Sequence, residues 1–450
     1  MLLNIEKLIY GGDGLARLPA DSPDDDRSRG KAVFVPFVLA NEKIEATLTE
    51  QKPGFARARA ETILDPSQHR VQPPCPYYGR CGGCHYQHAT YEHQLEIKKE
   101  ILRESLRRTA KLDLSFDIQV HPSPPWNYRN RSRLQVQLAP AFALGYFQFA
   151  SHELQPVEQC PISSPLINRG IASLWQSGRA GKVPQGIREI EFFANADDTQ
   201  LLLEVACARQ ARRATVRDWA EELRAALPAI AGVVAFREPN PGDRKARAAE
   251  ILVTVGAGHL IYQTQGSTYR VSAGSFFQTN RHLTDELVKT VTSGQSGQLA
   301  LDLYAGAGLF STALASDFHH VVSVESSLTS SADLSYNQPS NGEVIQATTE
   351  QYLARAESSG RVGKGEVLLH TPNKPDLAVV DPPRSGLGER VARLLATLGA
   401  PRVIYVSCDP ATLARDLVTL LAAGYRAEEV HLVDLFPQTY HMESVVHLVR

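Results

Sequence analysis

From about residue 270 onward the chain alternates short, Val-rich apolar runs with helical stretches, and this alternation limits the fold more than any other feature. LALDLYAG (299–306), LAVV before Asp381, RVIYV before Ser407 and SVVHLV near the C-terminus lack the in-out polarity of a strand with one wet face. Such strands are covered on both sides, as in a parallel sheet flanked by helices. Open α/β sheets of that kind bind ligands just beyond the carboxyl ends of their strands. The loops after these runs are therefore where chemistry is expected.

The first such loop carries Gly306 and Gly308 around Ala307, which lets a ligand approach the backbone closely. The next apolar run ends in Glu325, placed to accept hydrogen bonds from ribose hydroxyls. A third glycine and a phosphate-binding lysine are both missing, so a nucleoside without phosphates fits better than a dinucleotide or a triphosphate. S-adenosylmethionine is such a ligand. Further on, Asp381 is followed by two prolines that stiffen its loop. Cys408 lies between a strand and the helix ATLARDLVTLLAAG (411–424), where a helix N-terminus favours the thiolate. Glu443, in HMESV, precedes the last strand.

Together these groups suit methyl transfer to C5 of uracil. That carbon is a poor nucleophile until a thiolate adds at C6, and a base must then remove the C5 proton. Asp381 is the candidate for holding and polarising the ring, Cys408 for the nucleophile and Glu443 for the base. A uracil stacked in RNA must first be flipped out, so a separate RNA-gripping surface is expected. The structural alternatives are a buried inert cysteine, an exposed loop glutamate and a solvated strand end at Glu325.

Ahead of this region the chain changes character. KAVFVPFVL (31–39) and KIEATLTEQK (43–52) are strand-like, and DSPDDDRSRG (21–30) reads as the loop between them. About five short strands in residues 1–65 suggest a small β-barrel of the OB kind. Residues 66–265 form a mixed α+β region, and 266–450 the Rossmann-like domain. Thr90 is placed to cap a helix over 91–109 with Leu95, Leu102 and Leu106 inward, and Lys98, Lys99, Arg103, Arg107 and Arg108 on the other face. Arg129, Arg131 and Arg133 alternate along WNYRNRSRLQVQ (126–137) beside Trp126 and Tyr128, a pattern suited to phosphate contact and base stacking or to a solvated strand face. With a net charge of −2, any RNA surface must be a local patch. Cys75, Cys81 and Cys84 crowd into CPYYGRCGGCHYQ (75–87), and with Cys160 they supply four thiolates. Spacing leaves an iron–sulfur cluster and zinc nearly level, with His85 and His88 adjacent. Neither a signal peptide nor an apolar run long enough to span a bilayer is recognised, so a cytoplasmic protein is expected.

The ordered set SFFQTN (275–280), LDLYAGAG, VSVE, DPPRSGL, SCDPATLARDL and HMESV resembles the bacterial RNA 5-methyluridine methyltransferases. Within them it is most similar to the 23S rRNA uracil-5-methyltransferases, whose TRAM domain and cluster region the simpler tRNA enzymes lack. The resemblance implies that Cys408 is the nucleophile and Glu443 the base. It also implies that Gln278, Tyr304, Glu325 and Asp381 contact the methyl donor or the target base. It makes residues 1–65 a TRAM domain and makes the four cysteines ligands of a structural [4Fe–4S] cluster. The chain departs from the pattern at Leu309, where a polar residue is usual. The expected partner is RNA, 23S rRNA above all, and a monomer is expected. A tRNA enzyme and a non-catalytic iron–sulfur RNA-binding protein are the competing readings; a DNA cytosine enzyme would carry Pro rather than Ser407 before its cysteine.

Overall fold

A computed structural model of the chain describes residues 1–18, 30–238, 250–359 and 374–450. The acidic loop expected at 21–30 lies outside these residues apart from Gly30.

Residues 2–65 form a six-stranded, mainly antiparallel sheet, ordered Leu2–Asn4, Lys43–Gln51, Phe55–Asp65, Ala32–Pro36, Asp13–Arg17, Lys7–Leu8. Alternating inward residues, among them Val33, Val35, Ile44, Ala46, Ala56 and Ala58, build its own small core. The central region holds a seven-stranded sheet running from Leu154–Pro156 to Glu250–Gly256. Helices Pro165–Arg179 and Arg213–Ala226 cover one face of it through Ile171, Trp175, Val216 and Trp219. Cys207 is buried in that core, an inert packing residue. The other face packs on the hairpin His259–Gln263 and Thr268–Ser272, whose Tyr262, Tyr269 and Val271 reach the C-terminal sheet in a shared core.

The C-terminal sheet has eight strands, ordered Gly342–Gln346, Phe318–Glu325, Gly297–Leu303, Leu377–Val380, Arg402–Ser407, Glu443–Val449, Arg426–Val433, Gln119–His121. Its first five strands are parallel, as the doubly apolar runs require. Glu443–Val449 runs antiparallel between two neighbours, which brings the start of that strand beside the ends of the others. Residues 91–121, grouped with the central region from sequence, pack here instead: Ile101, Leu102 and Leu106 join the core of this sheet and Gln119–His121 is its edge strand. Nothing in the local pattern reports that long-range pairing.

The helix expected over 91–109 is α-helical over Tyr91–Ser105 and continues as a π-turn over Leu106–Ala110. Thr90 makes no side-chain cap, and Leu95 is only half-buried. The largest difference is Lys98, expected on a basic outer face and found fully buried. Its Nζ donates to Asp434 Oδ1 at 2.6 Å and to the Phe436 carbonyl at 2.9 Å. Tyr91 donates to the second Asp434 oxygen at 2.9 Å. A buried charge survives only when paired and hydrogen-bonded, so this lysine is structural. Lys98→Ala strands Asp434 without its cation and should lower stability by about 3–5 kcal/mol. Urea denaturation of the two proteins measures the difference, and a change below about 1 kcal/mol contradicts the assigned role.

Candidate functional site

Four chemical groups meet along one edge of the C-terminal sheet. Asp302 ends the strand Gly297–Leu303, Asp381 follows Leu377–Val380, Cys408 follows Arg402–Ser407 and Glu443 opens Glu443–Val449. Register puts Leu303 beside Val380, Val380 beside Tyr405, and Ser407 beside Ser444, so the four stand in a row across adjacent strands. Asp302 and Glu443 are buried, whereas Asp381 and Cys408 are half-buried.

Packing three carboxyl groups into one low-dielectric row raises the cost of ionising each. Burial and the nearby Asp302 push the Asp381 carboxyl up to about 7. Burial pushes Asp302 itself up to about 6, with Ser311 donating to Oδ2 and Oδ1 left without a partner. Glu443 is raised well above the usual carboxylate range by burial and by Asp381. The Cys408 thiol is pushed up to about 12 by burial, then by Glu443 and Asp381. This corrects the expectation that the helix N-terminus yields a thiolate. Asp409 caps that helix, accepting from Ala411 N at 3.0 Å and Thr412 N at 2.9 Å, so its side chain answers the free N–H groups. Arg384 is the opposing influence, lowering both Cys408 and Glu443.

The loop that carries Asp381 is anchored from below. Asp416 accepts from Leu387 N at 2.6 Å and from the Tyr405 hydroxyl at 2.8 Å, and Arg415 holds the Ser385 carbonyl at 2.7 Å. Gly386 is left-handed, at φ 71°, and a Cβ there would lie 2.4 Å from an Asp416 oxygen. From the N-terminal sheet, Tyr10 meets the Tyr440 ring edge-on at 5.5 Å and directs its hydroxyl to the Cys408 carbonyl at 3.5 Å.

Beside this row lies a cleft lined by Phe276, Gln278, Tyr304, Gly306, Leu309 and Asp381. Tyr304 adopts φ 68°, a strained value for a non-glycine residue of the kind found at functional sites. Gly308, at φ 95°, could not carry a Cβ without meeting Leu334 at 2.8 Å. Glu325 is placed differently from expectation: its carboxylate accepts from Gly306 N at 2.9 Å and Ser327 N at 2.6 Å. Its first task is to fix the glycine loop; Oε1 also accepts from the Ser326 hydroxyl at 3.5 Å, and Oε2 keeps a lone pair for a ligand. Leu309, the departure from the family pattern, packs in the core and also faces the cleft.

The four cysteines Cys75, Cys81, Cys84 and Cys160 line one cavity and act electrostatically on one another. Among the described residues, no three of their sulfurs lie within 4.8 Å of each other. His88 cannot serve as a ligand, since its Nδ1 meets Tyr78 Oη at 2.5 Å and its Nε2 the Val38 carbonyl at 3.2 Å.

The arginine strand needs correction. Arg129, Arg131 and Arg133 do line one cleft with Thr279 and Phe276. Arg131, however, is buried, pairs with Glu191 and Glu204, and donates to the Ser275 carbonyl at 2.7 Å. Two carboxylates already balance its charge, although its Nε makes no hydrogen bond. Arg133 is paired to Glu191 and Glu189 but exposed, and Arg129 is half-exposed. Tyr128 is fully buried, donating to the Pro437 carbonyl at 3.0 Å, and offers no stacking face. Asp302, Arg384, Tyr10, Tyr440 and Phe276 were not singled out from sequence. An acid inside the apolar run LALDLYAG was a usable signal for Asp302; nothing local marks Tyr10.

Ionisation of the row opposes folding. A carboxyl whose value rises from the ordinary 3.8 to about 7 on folding binds its proton more tightly in the folded state. Its contribution is fully present below pH 4 and is lost as pH climbs through about 7. Asp381→Asn removes that loss. At pH 8 the variant should melt above the wild type, by about 2–4 °C for each kcal/mol removed, with the gap closing at pH 5. Thermal melts at both pH values check this; a variant that melts lower at pH 8 contradicts it.

Comparison with known proteins identifies the family. Residues 90–450 match the family described as tRNA (uracil-5-)-methyltransferase. A protein of Aquifex aeolicus named an uncharacterized RNA methyltransferase is 32% identical over 98% of this chain and 97% of its own length. A Shewanella amazonensis protein named 23S rRNA (uracil(1939)-C(5))-methyltransferase RlmD is 29% identical over 98% of this chain and 94% of its own. In fold, the chain is similar to the crystal structure of the Pyrococcus abyssi tRNA (uracil-54, C5)-methyltransferase in complex with S-adenosyl-L-homocysteine. The TM-score is 0.73 at 22% identity, covering 100% of both chains. The strand-end row, the glycine cleft and a family match spanning both make this chain a member of the tRNA (uracil-5-)-methyltransferase family.

Proposed function

We propose that the protein methylates C5 of a uridine in RNA, using S-adenosylmethionine as donor, Cys408 as nucleophile and Glu443 as the base. The observation that carries this reading is the meeting of Cys408, Asp381 and Glu443 in one row beside the glycine cleft.

In this reading the Cys408 thiol passes its proton to solvent water and the thiolate sulfur, favoured by the positive charge of Arg384, bonds to C6, with Glu443 ionised to serve later as the base. Electrons move onto the uracil carbonyl, where Asp381, with its value near 7, donates a hydrogen bond. The donor in the cleft supplies an electrophilic methyl group, held by Gln278, Tyr304, the backbone of Gly306 and Gly308, and Glu325. C5 takes that group, the C5 proton passes to Glu443, and the C6–S bond breaks as the C5–C6 double bond returns. A carboxylate whose proton affinity is raised is the stronger base for that step.

The RNA would lie across the groove between the N-terminal sheet and the catalytic edge, where Tyr10, Phe34, Arg57, Phe147, Phe149 and Tyr440 offer rings and a cation. We read residues 1–65 as the TRAM, OB-like module of this groove. Arg129 and Arg133, without Arg131, remain as its further basic contacts. Cys75, Cys81, Cys84 and Cys160 are read as ligands of a [4Fe–4S] cluster with a structural role, because the four line one cavity. Full-length likeness extends to a tRNA enzyme as well, and the higher identity to the protein named as a 23S rRNA enzyme, 29% against 22%, favours 23S rRNA over tRNA.

The test is methyl transfer from labelled S-adenosylmethionine to unmodified 23S rRNA and to tRNA, followed by nucleoside analysis. Label in 5-methyluridine from 23S rRNA is expected. Label from tRNA alone moves the substrate to the competing class, and label in neither, from cluster-loaded protein, rejects an enzymatic role. Glu443→Gln should still form the adduct and accept the methyl group but release product at least ~100-fold more slowly.

A further inference from the structure

At the far edge of the C-terminal sheet, two histidines and two glutamates form a line that is one hydrogen short when both imidazoles are neutral. His121 Nδ1 meets Glu286 Oε1 at 2.8 Å, His121 Nε2 meets His431 Nδ1 at 3.1 Å, and His431 Nε2 meets Glu429 Oε2 at 3.0 Å. Each of these contacts needs one hydrogen between its heavy atoms. Carboxylates bring none, and each neutral imidazole brings one, so two hydrogens serve three contacts. When Nδ1–H of His121 serves Glu286 and Nδ1–H of His431 serves His121, the bare Nε2 of His431 faces the Glu429 carboxylate, a contact that a cation completes.

The third ligand stands at that end. Glu429 pairs across the strands with His447, and His431 lies two residues on, on the same face. His447 Nε2 gives its hydrogen to the Thr290 carbonyl at 2.9 Å, leaving Nδ1 as a lone pair. One ligand atom from each of Glu429, His431 and His447 lies within 4.8 Å of the others. From these contacts we infer a metal site on Glu429, His431 and His447 for a zinc-class divalent cation, whose charge replaces the missing hydrogen.

Two imidazoles, one carboxylate and a water complete a tetrahedral zinc shell, and Glu429, at 52% exposure, leaves room for that water. Each ligand histidine has its second nitrogen engaged, His431 through His121 to Glu286 and His447 to Thr290, as supporting contacts around a metal require. The ion would clamp Arg426–Val433 to Glu443–Val449, the strand that opens with Glu443. The site is separate from the cysteine cavity and independent of the methyl-transfer reading.

Zinc sulfate titrated calorimetrically into cluster-loaded protein, whose four cavity cysteines are occupied, should bind one equivalent and raise the melting temperature. Glu429→Gln, a change at an exposed position, should abolish that binding while leaving circular dichroism and methyl transfer unchanged. His121→Phe should weaken it by ~10–100-fold. Cobalt in place of zinc should give ligand-field bands without thiolate charge transfer. No zinc binding by the wild type, equal binding by both variants, or a thiolate band that assigns the ion to cysteines would each overturn the inference.

Discussion

The buried pair between Lys98 and Asp434 fixes the start of the segment 434–442, and most of the site is hung from that segment. Asn280 donates to the Leu435 carbonyl at 3.1 Å and Tyr128 to the Pro437 carbonyl at 3.0 Å. Gln94 and Gln438 exchange two hydrogen bonds, of 3.0 and 2.9 Å, and the Gln438 carbonyl accepts from the backbone of His85 and Tyr86 at 2.8 and 2.9 Å. One loop therefore joins the cysteine segment, the helix after it, the SFFQTN segment and the catalytic strand. It delivers Tyr440 against Tyr10 and ends where Glu443 begins. Buried polar contacts of this kind add little net energy, but breaking one leaves the others unsatisfied, so the loop has one geometry.

That rigidity serves the electrostatics of the row. Asp302, Asp381 and Glu443 repel one another when ionised, and only a fixed sheet edge keeps them together. Burial and mutual repulsion raise the proton affinity of the thiol and of the acids, and Arg384 opposes that rise at Cys408 and Glu443. Perturbed groups packed into a cleft are a mark of catalytic sites, and here they coincide with the cleft beside the glycine loop.

Much of this was legible in the chain because local rules govern it. Doubly apolar runs reported a parallel sheet, and the residues just past them reported the site, since strand ends and active sites coincide in open α/β folds. Gly308 and Gly386 report turns that no other residue fits. What escaped depends on contacts remote in sequence. Lys98 looks like part of a basic helix face until Asp434 is brought to it. Arg131 looks like a phosphate ligand until Glu191 and Glu204 surround it. The antiparallel last strand and the edge strand 119–121 follow from chain return paths, on which periodicity is silent. The thiol's raised proton affinity was misjudged for the same reason: the helix N-terminus is visible in sequence, and the acids that outweigh it are not.

The central claim is that Cys408 forms a covalent bond to uracil C6 and that proton removal at C5 follows. RNA containing 5-fluorouracil tests it directly, because fluorine at C5 leaves no proton to abstract. Incubation with S-adenosylmethionine followed by peptide mapping should recover the methylated nucleotide on the peptide that carries Cys408, and Cys408→Ala should yield none. Turnover of uracil RNA with no adduct from the fluorinated RNA, or an adduct on another cysteine, would contradict the account.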